Sequence, residues 1–160
     1  MKIDKSWYIK PKDPNYPTQN LAGGVVIRED NGKLLIALVG DKKFSTFILP
    51  KGKVENNETS VTAAKREIAE ETGLHKLVIH AKLGVKERMT FDKTSWNTYD
   101  YFLFSTKQIF GKIKPNEDEK DFFLKWFDLE NLPPIFWPEQ RELIEETRRK
   151  IKVLLHKSLN

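Results

Sequence analysis

The chain has 160 residues, of which 39% are hydrophobic and 32% are charged, a composition that excludes an intrinsically disordered chain and predicts one domain with its own core. It contains no cysteine, so a disulfide framework and a zinc–thiolate site are excluded. The net charge is +5, with 28 Lys and Arg against 23 Asp and Glu, which is compatible with an anionic ligand such as a polyphosphate or RNA.

Targeting and membrane segments are not evident in the sequence. The first 18 residues lack the apolar run of a signal peptide, and no stretch approaches the roughly 18 apolar residues of a membrane helix. We therefore expect a cytoplasmic protein that has no membrane partner. As a separate expectation, the protein is a monomer or a homodimer.

The first elements predicted along the chain are an irregular arm and a β-hairpin. Residues 1–20 contain three prolines and predict a mostly irregular N-terminal arm, with a short strand near Trp7–Ile9. The apolar run Leu21–Arg28 predicts a buried strand. A turn sequence, Asp30-Asn31-Gly32, separates it from a second predicted strand, Leu34–Val39, so we expect a hairpin.

An amphipathic helix is predicted after a short apolar segment and a polar loop. Thr59 or Ser60 can cap its first turn, and Gly73 is placed to end it. Val61 and Ile68 belong to its apolar stripe, which is expected to pack on a sheet.

Three more strands and a second helix are predicted downstream. The strands are Leu77–Val85, Thr98–Ser105 and Phe122–Phe127, and the helix is residues 138–156. Strands on both sides of one helix, with a second helix at the end, predict an α/β sandwich that forms one domain over residues 1–160.

Three glutamates share one face of the first predicted helix. Glu67, Glu70 and Glu71 stand at positions i, i+3 and i+4, a spacing at which like charges repel. A divalent cation between them would turn this repulsion into ligation, and ligands that are all oxygens suit Mg²⁺ or Mn²⁺. The alternative is an ordinary acidic helix face turned towards solvent.

The segment Gly52–Leu74, called the box here, contains these glutamates within a longer pattern. Seven fixed residues define this pattern: Gly52, Glu58, Arg66, Glu67, Glu70, Glu71 and Gly73. Seven fixed residues at these spacings coincide by chance roughly once in 10⁸ windows. The pattern resembles the Nudix box at every defined position. This resemblance implies a Nudix-type α/β/α sandwich, with a mixed sheet between helices.

The resemblance also implies roles for the residues of the box. In this family the box glutamates bind the metals, which makes Glu67, Glu70 and Glu71 the expected ligands, together with the backbone carbonyl of Lys51. The family's arginine orients the box carboxylates, which here implies Arg66. Its partner is the first glutamate of the box, Glu58, and Gly52 is expected to allow a tight turn of the loop.

One acid from outside the box often completes such a site in the family. Four acids precede the last predicted strand: Glu117, Asp118, Glu119 and Asp121. We expect Glu119 to be the acid that completes the site. The residues expected to serve catalysis are then Glu67, Glu70, Arg66 and Glu119. Either Glu67 or the downstream acid is the general base, and this choice stays open. A solvated charged loop is the alternative for the downstream acids.

The entry to the box indicates a substrate class. The sequence LPKGKVE resembles hydrolases of dinucleoside polyphosphates and of diphosphoinositol polyphosphates, and Lys51 and Lys53 are candidate contacts for distal phosphates. ADP-ribose pyrophosphatases of the family carry a proline about fifteen residues past the box. This chain has Met89 and Thr90 there, which argues against ADP-ribose as the substrate.

The sequence therefore predicts a Mg²⁺-dependent hydrolase of nucleotide polyphosphates, most similar to the diadenosine tetraphosphate group. The alternatives are a 5′ RNA pyrophosphohydrolase, a nucleoside triphosphate pyrophosphatase, and a sensing domain that binds without turnover. Phe44, Phe91, Tyr99 and Tyr101 are candidates for base stacking, but the alternation of the two tyrosines on a predicted strand favours core packing for them.

Overall fold

The computed structural model of the chain describes residues 2–113 and 119–159, without the side chains of residues 157–159. A short 3₁₀-helix, Lys5–Tyr8, precedes the sheet. The strands are β1 (Thr18–Asp30), β2 (Lys33–Asp41), β3 (Phe47–Ile48), β4 (Lys51–Lys53), β5 (Val78–Met89), β6 (Trp96–Ser105) and β7 (Phe122–Asp128). The helices are α1 (Ser60–Thr72) and α2 (Pro138–Leu159).

Strand β1 is the centre of a mixed sheet. It runs parallel to β6 on one side and pairs antiparallel with both β4 and β2 on the other. Strand β7 extends the sheet beyond β2, and β5 extends it beyond β6. The pairing with β4 matters for function, because it brings the start of the box to the middle of the sheet.

The two faces of β1 belong to two apolar layers. Val25 and Ile27 pack with α2 on one face, whereas Ala22 and Val26 pack with α1 on the other. Side chains alternate between the faces of a strand, so a strand buried on both faces is apolar throughout. The arrangement confirms the predicted α/β sandwich with a mixed sheet between helices.

The ends of α1 follow from two local interactions. The Thr59 hydroxyl oxygen accepts a hydrogen bond from the Thr62 N–H at 3.1 Å, so Thr59 is the N-cap. Gly73 has a φ of 80°, and its N–H donates to the Ala69 carbonyl at 2.9 Å. These are the cap and the stop that the sequence predicts.

The N-terminal arm differs from its prediction in one respect. The strand expected near Trp7–Ile9 is wrong, because residues Lys5–Tyr8 form a 3₁₀-helix. The Asp4 carboxylate accepts a hydrogen bond from the Ser6 N–H at 2.8 Å and thereby offers the backbone a turn instead of a strand. β1 begins at Thr18, so the arm comprises residues 2–17 up to that strand.

The C-terminal helix begins at Pro138, a position where proline's missing N–H costs nothing. It continues to Leu159, beyond the predicted end at residue 156. Among the described residues, neither this helix nor any other combines the length and the apolar content needed to span a membrane.

Candidate active site

The first structural feature of the site is the contact between β4 and α1. A Cβ atom added to Gly52 would lie 2.1 Å from the Glu67 carboxyl carbon. Gly52 lies in β4, paired with Ala22 of β1, and it does not have a positive φ. The tight turn expected at Gly52 is therefore wrong. The residue is glycine because the Glu67 carboxylate occupies the space of a side chain.

Three carboxylates converge beside this contact. Glu67, Glu71 and Glu119 each offer an oxygen atom, and these oxygens lie within 4.8 Å of one another. Glu71 is buried, and its Oε1 accepts a hydrogen bond from the Lys51 backbone N–H at 2.9 Å. We call these three residues the carboxylate cluster.

The carboxylate cluster is electrostatically strained without a cation. Burial raises the pKa of Glu71 to about 8, and the hydrogen-bonded neighbour Glu119 also raises it, although the nearby Lys51 ammonium opposes the change. Burial likewise raises the pKa of Glu67. A bound divalent cation would stabilise the ionised carboxylates and thereby offset the effect of burial on their pKa values. The donor set therefore fits Mg²⁺ or Mn²⁺.

Arg66 connects the carboxylate cluster to the loop before α1. Its guanidinium donates two hydrogen bonds to Glu58, from Nε at 2.8 Å and from Nη2 at 2.9 Å. Nη1 donates to Glu67 Oε1 at 2.8 Å, and Nη2 donates to the Lys53 carbonyl at 2.9 Å. The two hydrogen bonds to Glu58 and the one to the Lys53 carbonyl hold the planar guanidinium in place. Its hydrogen bond to Glu67 then restricts the rotamer of that carboxylate.

Glu70 lies apart from the carboxylate cluster. Its side chain is 43% exposed, and its Oε1 lies 3.4 Å from Arg66 Nη1. Residues at i, i+3 and i+4 share one broad side of a helix but do not point in the same direction. Glu71 therefore points towards β4 and is buried, whereas Glu70 remains partly exposed. Of the three box glutamates, the structure thus brings Glu67 and Glu71 together and adds Glu119; the predicted ligation by Glu70 stays a prediction.

Of the other downstream acids, Asp121 is described by the structure, and it does not belong to the carboxylate cluster. Asp121 forms an ion pair with Lys43, with 3.1 Å between Oδ2 and Nζ. Glu117 and Asp118 lie outside the described residues.

Lys51 joins the carboxylate cluster to a neighbouring cavity. Its backbone N–H binds Glu71, while its side chain lines the cavity. Desolvation lowers the pKa of the Lys51 ammonium, and no described residue gives that ammonium a hydrogen bond or an ion pair. A desolvated cation of this kind favours an anionic ligand. Lys53 differs, because its side chain is exposed and its carbonyl is the part that contacts Arg66.

The cavity has a volume of about 840 Å³. Phe44 and Phe91, at its edge, are 68% and 50% exposed, as base-stacking candidates require. Tyr101 is buried, which confirms the core packing expected for it. Tyr99 is also buried but lines the cavity as well. Sequence reasoning missed several lining residues, because they come from loops and strand ends far apart in the chain: Arg88, Ile135, Phe136 and Trp137.

A buried ion pair lies under this cavity. Arg88 Nε donates to Glu139 Oε2 at 2.8 Å, and the two side chains are 2% and 5% exposed. The Arg88 guanidinium carbon lies 3.3 Å from the centroid of the Trp137 ring and 4.5 Å from that of Tyr99. Nothing in the sequence places Arg88 opposite Glu139, since they lie on β5 and α2.

Comparison with known proteins places this geometry in a family. The chain is 34% identical over 125 residues to the ADP-ribose pyrophosphatase of Methanocaldococcus jannaschii, covering 78% of this chain and 71% of that protein. It is 27% identical over 157 residues to the RNA pyrophosphohydrolase of Pelagibacter ubique, covering 89% and 96%. A solved Caenorhabditis elegans Ap4A hydrolase complex shares the fold, with a TM-score of 0.63, 21% identity, and coverage of 84% of this chain and 98% of that one. The NUDIX domain family model matches residues 18–148, and the chain therefore belongs to the Nudix hydrolase family.

Proposed function

We propose that this Nudix pyrophosphohydrolase cleaves a phosphoanhydride bond in a dinucleoside polyphosphate similar to diadenosine tetraphosphate. The observation that carries the proposal is the continuity of the site. Lys51 binds the carboxylate cluster through its backbone and lines the cavity with its side chain. The proposed metal site, a lysine for a phosphate group and an apolar pocket for a base would therefore lie next to one another.

The carboxylate cluster is the proposed site of Mg²⁺, with Mn²⁺ as a substitute. Glu67, Glu71 and Glu119 would hold the ion, and the Lys51 carbonyl and Glu70 are proposed as further ligands. When bound, such an ion lowers the pKa of water and neutralises phosphate charge.

The chain's own residues have separate tasks in this proposal. The Lys51 ammonium binds a phosphate oxygen, since it lines the cavity and its desolvation favours an anionic ligand. Arg66 holds Glu67 in place through its Nη1 hydrogen bond. Glu67 or Glu119 accepts the proton of the attacking water, because a general base must lie within hydrogen-bond reach of that water.

The size of the cavity limits how the substrate can bind. A volume of about 840 Å³ is within the range of pockets for small ligands and suffices for one nucleoside. One half of a dinucleoside polyphosphate would then lie in the cavity, with its phosphates towards Lys51. The other half would extend towards solvent, where Lys53 and other lysines are exposed.

A 5′ RNA pyrophosphohydrolase is the second candidate, and two observations favour it. The similarity to the Pelagibacter enzyme extends over 89% of this chain. Lys42, Lys43 and Lys120 are also exposed close to Glu119 and Asp121, where an RNA backbone leaving the site would meet them. Because this track is electrostatic, RNA hydrolysis would weaken steeply with added salt.

A substrate panel tests the two candidates against each other. The panel contains dinucleoside polyphosphates, nucleoside triphosphates, ADP-ribose, inositol pyrophosphates and triphosphorylated RNA, each with Mg²⁺ and with EDTA. We expect the highest kcat/KM for a dinucleoside polyphosphate and no turnover in EDTA. A preference for RNA would establish the second candidate. Inertness towards the whole panel with Mg²⁺ present would refute both and indicate a sensing domain.

A further inference from the structure

The N-terminal arm takes part in forming the cavity. The family model matches from residue 18, so residues 2–17 precede the matched segment. Lys2 and Ile3 nevertheless line the cavity, beside Phe91 and Trp137. This part of the cavity lining therefore lies outside the segment that the family model matches.

Two hydrogen bonds attach the arm to the cavity region, one to the lining residue Phe91 and one to Glu139 of the ion pair under the cavity. The Trp7 indole N–H donates to the Phe91 carbonyl at 3.2 Å, and the Tyr8 hydroxyl donates to Glu139 Oε1 at 2.6 Å. Trp7 is buried, with 8% of its surface exposed. It belongs to a cluster of apolar side chains that also includes Met89, Trp96 and Trp137, with Ile3, Tyr8, Tyr16 and Ile48 packed around them.

Tyr8 acts on the cavity through a chain of contacts. Glu139 accepts from Tyr8 at Oε1 and from Arg88 at Oε2, and Arg88 stacks on Trp137. Glu139 is 4% exposed, so a carboxylate oxygen that lost the Tyr8 hydroxyl would be left with an unsatisfied hydrogen bond in a nearly dry site. The orientation of Arg88, and with it the Trp137 face of the cavity, therefore depends on Tyr8.

We propose that the N-terminal arm is a specificity element of this site and selects the nucleoside part of the substrate. Ile3 provides an apolar wall against the base, and Tyr8 is a positioning residue for Arg88 and the Trp137 face of the cavity. The inference rests on the proposed function in one respect, namely that the cavity holds a nucleoside.

The contribution of Ile3 is tested with a matched pair of variants. Ile3 lines the cavity, whereas Ile9 belongs to the same arm, is 68% exposed and does not line it. We expect Ile3→Ala to raise KM for the best substrate of the panel about three- to tenfold at constant kcat, since it removes a few apolar contacts. Ile9→Ala should change neither constant. Equal KM values for the two variants would overturn the role of Ile3.

The contribution of Tyr8 is tested against a second tyrosine of the arm. The Tyr16 hydroxyl donates to the Lys93 carbonyl, also at 2.6 Å, but does not contact Glu139. Tyr8→Phe should raise KM, leave kcat nearly unchanged and alter the ratio of affinities for AMP and GMP. Tyr16→Phe should leave that ratio at its wild-type value, even where it loosens the arm. A ratio unchanged in Tyr8→Phe would overturn its role as a positioning residue.

Binding of AMP and GMP separates this inference from the proposed function. Neither compound contains a phosphoanhydride bond, so their affinities, measured by quenching of tryptophan fluorescence, do not depend on turnover. A wild-type chain that is inert on the substrate panel but binds AMP in an Ile3-dependent way would refute the proposed activity and support the inference. Failure of the wild-type chain to bind either nucleotide would overturn the inference itself.

Discussion

The Glu67 carboxylate lies in the space that a side chain at Gly52 would fill, with 2.1 Å between an ideal Cβ and the Glu67 carboxyl carbon. Two residues of the box that are 15 positions apart in the sequence are thus adjacent across the contact between β4 and α1. The relationship explains why the box begins with glycine, and it makes that glycine part of the machinery that positions a carboxylate.

Replacement of Gly52 should therefore damage activity more than stability. In Gly52→Ala the methyl group displaces the end of a flexible side chain, so the fold should survive with a loss of about 1 kcal/mol or less. Misplacing Glu67 by about 1 Å should lower kcat/KM about a hundredfold. Gly32→Ala is the control, because Gly32 has a φ of +81° and no neighbour within 4 Å, and it should lose stability but keep activity. Wild-type kcat/KM in Gly52→Ala would refute the steric explanation.

The three acids of the carboxylate cluster should matter more than Glu70. Glu71→Gln keeps an acceptor for the Lys51 N–H but loses the charge, so it should lower kcat/KM by about a thousandfold, more than the 10–100-fold typical of a ligand's supporting partner. Glu119→Gln should have a comparable effect, and the half-exposed Glu70→Gln a smaller one. Steady-state kinetics at saturating Mg²⁺ measure all three. A loss in Glu70→Gln as large as that in Glu71→Gln would show that Glu70 is a ligand of equal weight.

Binding of a divalent cation should stabilise the fold. A ligand that binds only the folded chain at a hundred times its Kd adds about 2.7 kcal/mol, which for a domain of this size raises Tm by about 5–10 °C. Thermal unfolding with Mg²⁺, with Mn²⁺ and with EDTA measures this shift. In Glu71→Gln the shift should largely disappear. Tm in EDTA should change little at about pH 7, because burial raises the pKa of Glu71 to about 8 and the wild-type side chain is then already mostly neutral without a cation. An undiminished shift in that variant would place the cation elsewhere.

Arg66 should not be replaceable by lysine. A lysine ammonium cannot form the two hydrogen bonds to Glu58 and also reach Glu67 in the same plane, so Arg66→Lys should lower kcat about 10- to 100-fold. Lys65→Ala is the matched control on the exposed face of the same helix and should retain wild-type kcat. Full activity of Arg66→Lys would mean that charge alone suffices at this position.

Local chemistry explains which parts of the fold the sequence predicted well. The caps of α1 depend on Thr59 and Gly73 themselves, and the buried strand β1 is recognisable because all its central residues are apolar. The strand expected near Trp7–Ile9 was wrong because the interactions that shape this segment include long-range ones. Trp7 and Tyr8 pack against Met89, Trp137 and Glu139, which are distant in sequence.

The sequence by itself determined the family and the helix that carries Glu67 and Glu71, and it predicted the metal-binding chemistry, because these depend on residue types at short, regular spacings. Only the tertiary structure decided that Glu119 rather than Glu70 lies beside those two acids, and that Arg88, Trp137 and the N-terminal arm form one cavity. The physical reason is that helix periodicity gives the angle of a side chain around its axis, whereas the partner it meets depends on how separate elements pack.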